Sequence, residues 1–361
     1  MASRYDLTRD ELARIVTELG QPSYRVDQIW EGLYIHGLGP SDLTTLPTAL
    51  RHRLEERPEF APALAPALES SSEGGETVKW LWSLGDGRQI ETVLMHYRGR
   101  STVCVSSQAG CAMGCGFCAT GQAGFDRHLT SGEIVEQVVR AKVTSAQTGR
   151  RLSNVVFMGM GEPMANYDAV VASVHRIHAD LGLSARHLTI STVGIIPGIR
   201  RLADEPLPVN LAVSLHAAND DLRDALVPVN RRYPLADLAA ACSAYLEAKG
   251  RRLSFEWALI DGVNDRPSDA RELAGYALGL GAHINLIPLN PTPGYPVQGT
   301  PPGRVLDFCD RLTALGANAT IRQNRGTSID AACGQLRASS RREERPVTLG
   351  RLGPTSTPLP D

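Results

Sequence analysis

The sequence predicts an α/β fold, a parallel sheet of six consecutive strand–helix units with a small helical unit ahead of it. Three observations lead there. From about residue 101 onward, short apolar runs of strand length alternate with amphipathic helical stretches, the pattern of parallel strands joined by crossover helices. The first sixty or so residues carry helical periodicity only. A length of 361 residues, with 42% hydrophobic and 21% charged, suits one large domain plus a small one.

Thr8 followed by Glu11 is a capping-box pattern, and Leu12, Ile15, Val16 and Leu19 then recur at helical spacing up to Gly20. A second helix is expected around Val26, Ile29, Trp30 and Leu33, and a third around Leu46, Leu50 and Leu54. Ala61 to Gly75, rich in Pro, Ala and Ser, reads as a linker. Thr77–Leu84 and Gln89–Met95 alternate apolar and polar about Gly85-Asp86-Gly87, a hairpin signal. Strands are then expected at Thr102–Ser106, Asn154–Met158, His187–Ser191, Val209–Ser214, Leu253–Leu259 and His283–Pro288, with a further candidate at Ala319–Arg322. Helices are expected at Gly132–Ser145, opened by a Thr130…Glu133 capping box, and at Tyr167–Leu181, Leu235–Ala248 and Ser268–Leu280. Such a sheet is either doubly wound or curled into a barrel, and in both its chemistry sits at the C-terminal ends of the strands. The chain thus divides into a helical accessory domain and linker (1–75), a hairpin extension (76–100), a βα core (101–336) and a tail (337–361). The tail begins basic, with Arg341, Arg342 and Arg345, and ends Gly/Pro-rich, a composition expected to lack fixed structure.

Composition narrows the function classes. The formal net charge of −2 announces no nucleic-acid partner, so any RNA contact must come from local basic patches. Met1 to Asp10 has no apolar core of a signal peptide, and the most apolar helical stretch, Leu235 to Leu246, is too short for a bilayer and interrupted by Asp237. The seven cysteines are odd in number and three crowd into eight residues. That suits a metal or redox site in a reducing compartment, not a disulfide framework. A cytoplasmic protein with no membrane association is the expectation.

Cys111, Cys115 and Cys118 give the spacing C-x3-C-x2-C, with Gly110, Gly114 and Gly116 letting the backbone fold tightly around a ligand. A structural zinc site wants four ligands, and no fourth Cys or His follows at the usual spacing, His128 being ten residues on. Three thiolates instead suit a cubane [4Fe–4S] cluster with one iron left open. Cys242 and Cys309, among apolar helical neighbours, read as buried small hydrophobes. Cys333 differs, because its Ala331, Ala332 and Gly334 flank leaves the sulfur unobstructed.

C-x3-C-x2-C after the first strand of a βα repeat resembles the radical S-adenosylmethionine (SAM) superfamily, in which the open iron is chelated by the amino and carboxylate groups of SAM. Gly159-Met160-Gly161-Glu162-Pro163 closes the second strand and resembles that superfamily's Gly-Glu element, which holds the SAM ammonium. Nearly the whole chain, from Tyr24-Arg25-Val26-Asp27-Gln28-Ile29-Trp30 to Cys333-Gly334-Gln335-Leu336, is similar to the RlmN/Cfr family of radical SAM RNA methyltransferases, with the RlmN branch closer in wording. Cys104-Val105-Ser106-Ser107-Gln108, Phe117-Cys118-Ala119-Thr120-Gly121 and Asn285-Leu286-Ile287-Pro288-Leu289-Asn290-Pro291 also match. The resemblance implies a partial (β/α)6 barrel with an accessory N-terminal helical domain. It implies SAM contacts at Gly161, Glu162, Ser191, Ser214, Leu215, His216 and Asn290, each of which taken singly could be a strand-end polar or packing residue.

The activity it implies is methylation of an adenosine in the peptidyl-transferase centre of 23S rRNA, and of the adenosine 3′ of the anticodon in some tRNAs. The product is 2-methyladenosine for RlmN and an 8-methyl product for Cfr. Two SAM are used per turnover, one to methylate Cys333 and one, on the cluster, to generate a 5′-deoxyadenosyl radical that activates that methyl. The implied roles are methyl carrier for Cys333, resolving thiol for Cys104 through a transient Cys104–Cys333 disulfide, and proton acceptor for Glu91, with a flavodoxin-like or ferredoxin-like electron donor and a monomeric enzyme. On residues alone Glu91 reads as a solvated strand glutamate, and only the resemblance makes it catalytic. Two rivals remain: a radical SAM enzyme of another type, with no use for Cys104 and Cys333, and a non-catalytic RNA-binding module whose metal only holds a loop.

Overall fold

The fold is seen in a computed structural model that describes residues 3–292, 294–322, 325–332 and 334–336. Cys333 and the basic run through Arg345 lie outside the described residues. Three helices come first, α1 (Arg9–Glu18), α2 (Tyr24–Tyr34) and α3 (Thr48–Glu55). α1 starts at its capping box, with Thr8 N–H donating to Glu11 Oε2 at 2.8 Å and Glu11 N–H to Thr8 Oγ1 at 3.2 Å. Strands β1 (Leu64–Ser71), β2 (Thr77–Leu84) and β3 (Gln89–Tyr97) form an antiparallel meander, which β3 joins to β4 (Arg100–Cys104).

A short hairpin of β5 (Gln108–Gly110) and β6 (Phe125–His128) encloses α4 (Ala119–Ala123). The repeating part continues with α5 (Ser131–Gln147), β7 (Arg151–Phe157), α6 (Tyr167–Ala179), β8 (Leu188–Thr192), α7 (Ile196–Asp204) and β9 (Asn210–Ser214). It ends with α8 (Asp220–Leu226), α9 (Leu235–Lys249), β10 (Leu253–Leu259), α10 (Pro267–Gly279), β11 (His283–Pro288), α11 (Pro302–Ala314) and β12 (Asn318–Ile321). One ten-stranded sheet runs in the order β1-β2-β3-β4-β7-β8-β9-β10-β11-β12, and β4 and β7 through β12 are parallel. β12 is the further strand anticipated near Ala319.

The sheet is curled. Arg322, just past β12, has Nη1 3.7 Å from the sulfur of Met158, just past β7. Five strand spacings of about 4.8 Å would separate these positions by roughly 24 Å in a flat sheet. The strands therefore bend into a partial barrel, whose sheet order ends at β12 without closing.

Ala61 to Gly75, expected as a linker, carries β1, the edge strand of this sheet. Seven of its eight residues escape full burial, so no alternation marks it, and the register slips between Pro66 and Leu68, where proline cannot donate to a ladder. α7, α8 and α11 were not anticipated either; α7 and α11 open on Pro-Gly pairs that read as breakers, although proline suits a first helical turn.

The N-terminal unit is fastened to α5 and α6. Asp6 Oδ1 accepts the Gly132 N–H at 2.7 Å at the start of α5, and Asp6 Oδ2 accepts from Thr130 Oγ1 at 3.2 Å. Arg176 on α6 donates to the carbonyls of Tyr5, Asp6 and Leu7, and Trp30 Nε1 donates to Asp180 Oδ1 at 3.0 Å. Asp6→Ala removes an acceptor of helix-end N–H, and we expect a loss of about 1–2 kcal/mol. Urea denaturation followed by circular dichroism checks this; an unchanged midpoint would show that the N-terminal segment contributes nothing through Asp6.

Candidate active site

The C-terminal ends of the parallel strands surround a cavity. Cys111, Cys115 and Cys118 line one wall, on the loop between β5 and α4. The loop is closed at its base by a hydrogen bond from Cys111 N–H to Gly124 O at 2.7 Å, and Cys118 N–H returns to Cys115 O at 3.2 Å. Gly110 is glycine for a reason: its φ is +76°, and a Cβ would meet Gly124 O at 2.0 Å. Burial pushes the Cys111 thiol up to about 12, and Cys115 is driven upward by burial as well, with its fellow cysteines adding to the effect. Such thiols become thiolates only with a positive centre among them. Among the described residues no group of three His, Cys, Asp or Glu is arranged to hold a single metal ion.

Opposite the cysteines stands the turn after β7. Gly161 and Glu162 line the cavity, and Glu162 is buried. Its Oε1 accepts the Met164 N–H at 3.0 Å and its Oε2 the Val193 N–H at 2.9 Å, while its own N–H donates to Gln108 Oε1 at 2.8 Å. Burial raises its carboxyl to about 7, against the lowering effect of bonds from Thr192, Val193 and Met164. Ser191 and Ser214, at the ends of β8 and β9, line the cavity with their hydroxyl oxygens 3.5 Å apart.

His216 lines the cavity in a left-handed conformation, φ +59°, a strained state for a non-glycine residue. Its Nδ1 accepts the Ala258 N–H at 2.9 Å, which leaves the ring proton on Nε2, and burial, then Arg223, lowers its pKa to about 3. Phe117 of the cysteine loop packs edge-on against this ring, centroids 4.8 Å apart. Asn290 also lines the cavity. Leu215 does not: its side chain is in the core, its N–H donates to Glu256 O, and its carbonyl accepts from Arg223.

Glu91 and Cys104 sit on adjoining strands beside the cavity and are not among the residues lining it. Val93 pairs with Cys104, Ser106 Oγ donates to Glu91 O at 2.6 Å, and Cys104 pairs with Val156, two residues before the lining Met158. Glu91 is not solvated: it is 4% exposed and ion-paired with Lys79 at 3.2 Å. Among the described residues no two cysteines are disulfide-bonded; Cys242 is buried as expected, and Cys309 is only partly so. Sequence reasoning missed Arg223, Glu256 and Arg322. Arg223, fully buried on α8, donates to the carbonyls of Leu215 and Val193 at 3.1 and 2.7 Å and to Asn230 Oδ1 at 2.7 Å.

The family model described as the Radical SAM superfamily matches residues 105–274, the stretch from the end of β4 into α10 that carries the cysteine loop and Glu162. The chain is a radical SAM enzyme. A crystal structure titled as a radical SAM methyltransferase from Sphaerobacter thermophilus is 50% identical, with a TM-score of 0.90, and covers 94% of this chain and 100% of that one. A protein of Parafrankia sp. (strain EAN1pec) named "Probable dual-specificity RNA methyltransferase RlmN" is 52% identical, over 92% of this chain and 91% of its own. "Dual-specificity RNA methyltransferase RlmN 1" of Myxococcus xanthus is 48% identical, over 95% of this chain and 96% of its own. The chain belongs to the RlmN family. Membership in the superfamily implies a [4Fe–4S] cluster and SAM, and the donor set fits: three cysteines on one wall of the cavity, Cys115 buried and Cys111 and Cys118 half-buried, for which no fourth protein ligand is required. Among the described residues no helix is long and apolar enough to cross a membrane.

Gly161 has φ +103°, and a Cβ there would lie 2.5 Å from Gln108 Cβ and 2.8 Å from Gln108 N. Gly114, φ +72°, has nothing within 4 Å of that position. Gly161→Ala should therefore cost about 1–3 kcal/mol more than Gly114→Ala, which bears backbone strain alone. Paired urea melts check the difference, and equal losses would mean that the β7 turn yields freely.

Proposed function

We propose that this enzyme methylates carbon 2 of an adenosine in RNA, in the peptidyl-transferase centre of 23S rRNA and at the position 3′ of the anticodon in tRNA, using two SAM per turnover. Cys111, Cys115 and Cys118 would hold the cluster, and Gly161, Glu162, Ser191, Ser214, Leu215, His216 and Asn290 would surround SAM, Leu215 through its backbone. When bound, cluster and SAM supply one-electron chemistry able to activate an inert C–H bond. The need for it lies in the substrate: carbon 2 of adenine stands between two ring nitrogens and is too electron-poor to attack a SAM methyl itself. The Cys333 thiolate is the nucleophile that takes up the methyl and stores the carbon as a thioether. Once that carbon is joined to the base, Glu91 takes the proton from the attacked position. The Cys104 thiolate attacks the Cys333 sulfur and breaks its bond to the carbon, which leaves with the electron pair and takes up a proton to become the methyl group; methylated RNA is released, and a Cys104–Cys333 disulfide remains for an outside reductant.

The observation that carries this reading is how the chain is pinned on both sides of position 333. On one side Asp330 O accepts from Lys79 Nζ at 3.2 Å, the same ammonium that pairs with Glu91. On the other, Gly334 O accepts the Ala119 N–H at 2.8 Å, one residue past Cys118, and Thr120 Oγ1 donates to Leu336 O at 2.7 Å. A C-terminal segment tied at once to Glu91's partner and to the cysteine loop is what a methyl carrier requires. A maturase or a passive RNA-binding module has no need of it. The target base must be splayed out of its stack to enter. The setting is the cytoplasm, with a flavodoxin-like or ferredoxin-like electron donor and a monomeric enzyme.

Cys111→Ala, Cys115→Ala and Cys118→Ala should each lose the brown iron–sulfur absorbance and all RNA methylation; one variant keeping both would remove that residue from the cluster. Cys104→Ala should proceed as far as covalent attachment and stall as a nuclease-sensitive protein–RNA adduct on a denaturing gel. Cys333→Ala and the double variant should give none. Uncrosslinked Cys104→Ala enzyme that still turns over would sink the two-cysteine scheme.

A further inference from the structure

We infer that the arginines on the turns leading into β4 and β7, Arg98, Arg100, Arg150 and Arg151, hold the phosphate backbone of the substrate RNA away from the reacting base, an inference that rests on the reading of RNA as the substrate. Arg98 and Gly99 form the two-residue turn between β3 and β4, closed by the pairing of Tyr97 with Arg100. Arg150 and Arg151 lead from α5 into β7, and Arg100 stands directly opposite Arg151 in the β4–β7 ladder. Arg98, Arg100 and Arg151 are exposed and Arg150 is half-buried. Among the described residues none of the four guanidinium groups has an ion-pair partner or a hydrogen-bond acceptor. Glu76, on the hairpin beside them, is already paired with Arg325 at 3.2 Å. The row continues along the same rim of the sheet, with Arg186 exposed just ahead of β8 and Arg252 exposed just ahead of β10.

Like charges facing each other across a ladder destabilise it, and this chain, of net charge −2, has no general excess of cations to place. Helix dipoles do not account for the patch. They favour cations only within the last helical turn, the last turn of α5 holds no basic residue, and Arg98 and Arg100 follow a strand. What offsets the repulsion is an anion from outside. The four arginines sit on turns, not in a pocket, so nothing encloses a single small anion. Guanidinium groups carried on strands about 4.8 Å apart meet instead a chain of phosphates, whose oxygens fit the planar fork. A membrane surface would want apolar side chains beside the cations, and none of the exposed large apolar side chains belongs to these turns. β7 runs seven residues from this rim to the cavity mouth, which puts the patch roughly 20 Å from where the base enters. Only an RNA long enough to run past the edge of the barrel reaches it, and contacts there position the strand without reading its sequence.

The test uses full-length, anaerobically reconstituted enzyme and two RNA probes, a transcript of the peptidyl-transferase region of 23S rRNA and a short hairpin cut from it around the target adenosine. Affinities are measured by fluorescence anisotropy over a series of salt concentrations. Replacing all four arginines by glutamine should weaken binding of the transcript roughly tenfold to a hundredfold and flatten the slope of log affinity against log salt by about 2–4. Binding of the short hairpin should stay at the wild-type value. The fourfold lysine variant, which keeps the charges, should retain most of the wild-type slope. If the fourfold glutamine variant does not fold, the pairs Arg98→Gln with Arg100→Gln and Arg150→Gln with Arg151→Gln should each give about half the change in slope. An unchanged slope overturns the patch, as does an equal loss for hairpin and transcript or a lysine variant as weak as the glutamine one; in each case the RNA reading stands. Failure of wild type to bind the transcript in a salt-dependent way would overturn both.

Discussion

The mouth of this barrel depends on the backbone of one residue, Val193. Its N–H donates to Glu162 Oε2 at 2.9 Å and its carbonyl accepts from Arg223 Nη2 at 2.7 Å. Through Glu162 it is tied to the turn after β7 and, by way of Gln108, to the base of the cysteine loop. Through Arg223 it is tied to Leu215 at the end of β9. His216 carries the tie on to β10 by accepting the Ala258 N–H. Parallel strands leave backbone groups open at their C-terminal ends, where helices do not cover them, and buried polar groups must find partners. Here a carboxylate, a guanidinium and an imidazole close that row, and the same three side chains set the cavity's shape.

Arg223 shows why the arrangement tolerates a buried cation. Its hydrogen-bond partners among the described residues are three backbone carbonyls and one amide oxygen, with no carboxylate among them. Neutral acceptors spread over several groups satisfy the guanidinium's N–H fork, and its charge is left to act on its surroundings. Those surroundings include Cys115, whose thiol it lowers, and His216, which it helps to keep neutral. A neutral His216 with its proton on Nε2 remains a fixed donor throughout the physiological pH range, since its pKa of about 3 lies well below it.

What the sequence made legible follows from how each feature is encoded. The cysteine spacing and the βα alternation are local patterns, and they read directly as the loop and the parallel strands. β1 was hidden because an exposed edge strand has no buried face to generate alternation. Glu256 and Arg322 were hidden for a subtler reason. In β10 the residues Ser254, Glu256 and Ala258 alternate with Phe255, Trp257 and Leu259, as in a strand with one wet face, yet all seven residues of the strand are buried. Alternation reports that two faces differ; it cannot tell water from the polar interior of a curled sheet. Glu91 was misread as solvated by the same ambiguity. The signal that could have found them is a charged residue inside a strand already assigned to a βα repeat, both of whose faces such a fold covers.

The cavity gathers groups that are costly together. Burial, helped by the neighbouring cysteines, holds Cys111 and Cys115 protonated, burial lifts Glu162 toward neutrality, and among the described residues Glu256 Oε2 accepts no hydrogen bond. Each is a penalty that a well-packed apolar core would not bear. Each is also relieved by a specific kind of partner: thiols by a metal centre that displaces their protons, a carboxylate oxygen by a hydrogen-bond donor. Because these partners bind the folded site and not the open chain, loading must raise the stability of the whole domain by mass action. The left-handed φ of His216 and the glycine-only turns at Gly110 and Gly161 belong to the same balance, since they are backbone conformations that most residues avoid. The strain persists because Asn264, Ala258 and Phe117 fix His216 from three sides, and so the geometry of the site is set before anything binds.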